Sequence, residues 1–64
     1  MKITLHRTAT EWVAWFHDAQ EIQELFGTNV LPTAYTAGAD GEMVRARIQQ
    51  LNPTDTVTIS NGSL

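Results

Sequence analysis

Both tryptophans of this chain, and one of its two phenylalanines, fall in the single stretch Glu11-Trp12-Val13-Ala14-Trp15-Phe16. No other window is as apolar, so the remaining residues must be arranged around it. Two readings are open. In the first, Trp12 to Phe16 is a strand paired with the segment before it. Tryptophan, valine and phenylalanine favour strands. Thr8-Ala9-Thr10-Glu11 fits a four-residue hairpin loop, although it lacks the glycine or asparagine that usually marks one. A short helix then runs from Ala19 to Phe26, with Asp18 as N-cap and Ile22, Leu25 and Phe26 as its buried face.

In the second reading one helix runs from Ala9 to Phe26. Thr8 and Glu11 form its capping box, and Trp12, Trp15, Phe16, Ala19, Ile22 and Phe26 share a stripe. The helix template collects more matches. The strand template has the better local composition and is preferred. Gly27 stops the helix under either reading.

The flanking segments are simpler. Met1 to Arg7 alternates, with Ile3 and Leu5 inward and Lys2, Thr4 and His6 outward, which predicts a strand. Val30 to Ala37 reads as extended. Pro32 has no N–H to donate, so this strand begins late, lies at an edge or carries a bulge. Gly38-Ala39-Asp40-Gly41 turns into a helix capped by Asp40, with Met43, Val44, Ile48 and Leu51 at helical spacing and Arg45, Arg47, Gln49 and Gln50 on the wet side. Asn52-Pro53 ends it. Thr56 to Ser60 is a last strand with Val57 and Ile59 inward. The expected fold is α+β, a small two-layer sandwich of order β-β-α-β-α-β (alternative β-α-β-α-β). One sheet is covered by helices on one face. Residues 1–60 form one domain, and 61–64 form a flexible tail.

Composition narrows the function. A chain of 64 residues without cysteine has a small core and neither disulfides nor a thiolate metal site to supplement it. Self-association or a lasting partner is the common remedy. Seven acidic residues against four basic ones set a net charge of −3. Lys2, Arg7, Arg45 and Arg47 are too scattered to track phosphates, so nucleic-acid binding is not expected; through Arg45 and Arg47 it would fall steeply with salt. The longest apolar run is far short of the roughly 20 residues that span a bilayer. No basic and apolar leader opens the chain. A soluble, cytoplasmic protein is expected.

No catalytic constellation is evident. His17 and Glu21 are i and i+4 if both are helical, and His6 could join them, which makes a small metal- or ligand-dependent enzyme the alternative function. The serines, Ser60 and Ser63, sit at the chain end, and Gly38 and Gly41 match no phosphate-binding fingerprint. No cofactor or metal is expected. The aromatic stretch is the feature with a functional reading. As a strand it sends Trp12, Ala14 and Phe16 one way and Val13 and Trp15 the other. Trp15 should then lie on the uncovered face, beside Val13 and with Tyr35 on a neighbouring strand. Asp18, Glu21 and Glu24 would supply carboxylates for a basic partner.

Two amino-terminal strands, with an aromatic-Val-Ala pattern in the second, are followed by another strand, a helix and a last strand. This order resembles that of HicB-like antitoxin domains over most of the chain, as topology alone. The glycine-threonine and glutamate-alanine signature leading into that family's helix is replaced by Thr36-Ala37-Gly38-Ala39-Asp40, so no residue role is carried over. The expectation is a non-enzymatic protein–protein interaction module, accessory or inhibitory, acting through an aromatic and acidic surface or as a homodimer.

Overall fold

The structure is a computed structural model that describes residues 1–17 and 20–60, with the backbone alone for Phe26. Its elements are β1 (Lys2–Arg7), β2 (Glu11–Phe16), α1 (Gln20–Phe26), β3 (Val30–Thr36), α2 (Gly41–Leu51) and β4 (Thr56–Ile59). They build one mixed sheet of order β3-β2-β1-β4, an α+β fold in the order β-β-α-β-α-β. The expected tail 61–64, the N-cap Asp18 and Ala19 lie outside the described residues.

The tryptophan stretch is therefore a strand, and the long-helix reading is overturned. Pairing explains the choice. β2 lies antiparallel between two partners, with Ile3 opposite Phe16 and Leu5 opposite Ala14 on one side, and Ala14 opposite Leu31 on the other. A central strand satisfies its backbone on both edges, which helical spacing in the sequence cannot reveal. The hairpin turn needs no glycine because Thr8 organises it. The Thr8 hydroxyl donates to the Glu11 carbonyl at 2.8 Å and accepts from the Glu11 and Thr10 amides at 3.0 and 3.3 Å. That uses the one donor and two acceptor positions of a hydroxyl.

α1 is an excursion between neighbouring strands. The Phe16 amide bonds the Asn29 carbonyl at 2.9 Å, and the Asn29 side-chain amide donates back to the Phe16 carbonyl at 3.2 Å. Gly27, at φ 73°, ends the helix in the left-handed conformation that glycine adopts without strain. Leu25, expected to be buried, is 77% exposed, and α1 supplies no described side chain to the core cluster. A seven-residue helix has little stability of its own; its ends are tied to the sheet ladder while its flank stays in water.

β3 is an edge strand, and it is also bulged. Residues 33–35 stand opposite Trp12 alone, between the pairs Val13–Pro32 and Glu11–Thr36. Within the bulge Ala34 adopts φ 70°, a conformation that strains any residue with a Cβ. The Thr33 hydroxyl bonds the Trp12 carbonyl at 2.8 Å and holds the bulge to β2.

α2 starts as expected. The Asp40 carboxylate accepts from the Met43 amide at 3.0 Å. The helix covers the face formed by Ile3, Leu5, Trp12, Ala14 and Val57, with Val44 fully buried among them and Ile48 packed alongside. Met43 and Leu51, at helical spacing with these, are 46% and 63% exposed. Gln49, assigned to the wet side, instead ties the helix to the last strand. Its amide donates to the Asn52 and Asp55 carbonyls, and its oxygen accepts from the Val57 amide at 3.2 Å. β4 then runs parallel to β1 with Val57 beside Ile3 and Ile59 beside Leu5. No helix among the described residues is long and apolar enough to cross a membrane.

Candidate protein-contact face

The alternation of β2 divides the two tryptophans. Trp12, Ala14 and Phe16 turn toward α2 and join the core or pack against it. Val13 and Trp15 turn to the opposite face, where their cross-strand neighbours are His6 and Thr4 on β1 and Pro32 and Val30 on β3. Trp12 is 3% exposed and Trp15 is 36% exposed. Trp15 is the largest apolar side chain that the sheet shows to solvent.

Trp15 is held in place by histidines. His17 stacks on it at 4.1 Å between ring centroids, and the His6 ring lies tilted to it at 5.8 Å. His17 is itself fixed by a 2.7 Å hydrogen bond between its Nε2 and the Thr4 hydroxyl, and its amide extends the sheet ladder to the Lys2 carbonyl. A tryptophan fixed in this way loses little freedom when a partner covers it, a property of binding hot spots.

The other sequence-derived site residues are distributed unevenly. Val13 shares the face of Trp15, but it is buried at 7% exposure and supports the face from beneath. Tyr35 is not beside Trp15. It packs against the core cluster on the α2 side, because the register places Val30 and Pro32 opposite Trp15 and Val13 and sends Tyr35 to the other side. Glu21 and Glu24 are exposed on α1, with Glu24 accepting from the Gln20 side chain. Asp18 lies outside the described residues.

His6, His17 and Glu21, the residues of the enzyme alternative, do not converge. Among the described residues no group of three His, Asp or Glu side chains could hold a metal ion. Both histidines contact the Trp15 ring, and the Nε2 of His17 is spent on Thr4. The arginines are also occupied. Arg7 lies 4.6 Å over the Trp12 ring. Arg45 is bonded to Glu42, whose carboxyl it holds below the usual carboxylate range by those hydrogen bonds. Arg47 donates to Gln50 at 3.2 Å.

The burial of His6 was not foreseen from the sequence, because alternation marks it as an outward polar residue. It is 7% exposed, and both ring nitrogens are buried without a hydrogen-bond partner among the described residues. A buried polar atom without a partner costs about 1–3 kcal/mol. His6→Phe, which keeps a ring against Trp15 and removes both nitrogens, is expected to raise stability by about 1 kcal/mol. A rise in the urea midpoint with an unchanged slope is the readout; a fall would mean that the nitrogens are paired in solution.

Comparison with protein-family models, with curated proteins and with solved structures finds no match to this chain.

Proposed function

We propose that this protein is a small non-enzymatic interaction module that binds a protein partner, or a second copy of itself, through the sheet face carrying Trp15. The cytoplasm is its proposed location, and an accessory or inhibitory role toward a larger protein is the proposed task. One observation carries the reading: the 36% exposed Trp15, stacked on His17, on the face turned away from the core. Interfaces concentrate their binding energy in such aromatic anchors. The exposed carboxylates of Glu21 and Glu24, on the helix that follows β2, and the net charge of −3 suit a basic partner, whose approach they would accelerate.

The test is Trp15→Ala. Truncating an anchor of this kind typically costs more than about 2 kcal/mol, or roughly 30-fold in affinity. Sedimentation at several concentrations reads self-association, and capture of a partner from the source cell reads hetero-association. The variant is expected to weaken one of them while its far-UV circular dichroism matches the parent. Global unfolding of Trp15→Ala, or unchanged association, would defeat the proposal.

A further inference from the structure

A second feature lies at the far end of β2. An open hollow of about 270 Å3 is lined by Thr10, Glu11, Ala34, Tyr35 and Thr36. It sits where β3 bulges away from β2, beside the strained Ala34. Ligand pockets for whole small molecules run from about 300 to 1,000 Å3, so this one suits a single side-chain head group.

The chemistry of the lining is one-sided. Glu11 is a carboxylate, and Thr10 and Thr36 each bring a hydroxyl, while the Tyr35 ring packs on the α2 side. Among the described residues no lysine, arginine or histidine lines the hollow. Glu11 is half-buried, yet among the described residues its carboxylate has no ion-pair or side-chain hydrogen-bond partner. The two threonine hydroxyls are likewise uncommitted among the described residues: Thr10 and Thr36 use only backbone atoms in their hydrogen bonds. Arg7, on the neighbouring strand, is directed to Trp12 and the Ala39 carbonyl instead. A half-desolvated carboxylate flanked by two uncommitted hydroxyls is a site for a cation that brings its own donors.

We propose that this hollow receives the guanidinium or ammonium head of an arginine or lysine side chain from the basic protein partner. The partner rests on the proposed function, and the cation chemistry rests on Glu11 and its neighbours alone. Glu11 and Trp15 are four residues apart on one strand, about 13 Å at the usual rise, so one partner surface can reach both. Trp15 would supply apolar anchoring and Glu11 the charge selection.

The experiment is an amide-resolved NMR titration of the full chain with N-acetyl-arginine amide, against N-acetyl-norleucine amide at matched ionic strength. Saturable shifts are expected at the amides of Thr10, Glu11, Tyr35 and Thr36 with the arginine compound and not with the norleucine one. Glu11→Gln, nearly isosteric, is expected to weaken binding by at least tenfold. Thr36→Val, which keeps the carboxylate and deletes an exposed acceptor, is expected to weaken it severalfold and decides the matter if Glu11→Gln does not fold. Shifts that do not saturate, that norleucine reproduces, or that survive both substitutions would overturn the assignment. Loss of this site with Trp15-dependent association intact would sink this inference alone.

Discussion

Leu5→Ala is expected to leave much of the protein unfolded at 25 °C. Leu5 is fully buried at the middle of the sheet, with Ala14 beside it on β2, Ile59 beside it on β4 and α2 across the same face. Truncating a buried leucine costs about 2–5 kcal/mol. At about 0.05–0.15 kcal/mol per residue, a domain of this size has roughly 3–10 kcal/mol in total. One substitution therefore removes a large part of the margin. Leu25→Ala, at a position 77% exposed, is expected to change stability by less than about 0.5 kcal/mol. Urea midpoints for the two variants give the comparison, and equal losses would mean that α1 is packed on the core after all.

Trp12→Ala is expected to be at least as damaging, at about 3–5 kcal/mol, because this ring joins three elements. Its indole N–H donates to the Ala39 carbonyl at 3.0 Å, at the turn into α2. The Arg7 guanidinium covers its face. Gly41, the first residue of α2, approaches so closely that a Cβ there would stand 3.0 Å from the ring. The substitution thus opens a cavity, leaves the partly buried Ala39 carbonyl with only the 3.5 Å bond from Arg7 and loosens the start of the covering helix. Trp12→Phe keeps part of the packing and loses the hydrogen bond, so it should fall between Trp12→Ala and the parent. A Trp12→Ala variant as stable as the parent would contradict this assignment of the ring.

The contrast between the tryptophans shows what was legible in the sequence. β1, β4 and α2 follow from alternation, helical spacing and the Asp40 cap, because each pattern fits a single element type. The stretch around Trp12 and Trp15 fits strand and helix templates together. What separates them is the pair of neighbours, β1 and β3, that complete its hydrogen bonds, and pairing is not a local property. Tyr35 could not be placed for the same reason: its face follows from the register of β3 against β2. Leu25 looks buried by spacing, but spacing reports which residues share a helix face, not whether anything covers it. His6 and the Glu11 hollow depend on packing and on a bulge, and neither leaves a sequence signature. Trp15, by contrast, was legible once β2 was read as a strand, since alternation alone turns it away from Trp12.

The central claim is that the two indoles lie on opposite faces of one sheet. Fluorescence quenching by acrylamide in the single-tryptophan variants Trp12→Phe and Trp15→Phe tests it most directly. The protein that retains only Trp15 should be readily quenched, in keeping with 36% exposure, and the one that retains only Trp12 should be shielded, in keeping with 3%. Equal shielding of both rings in folded variants would contradict the account, because it would place Trp15 in the interior and remove the face on which the proposed partner docks.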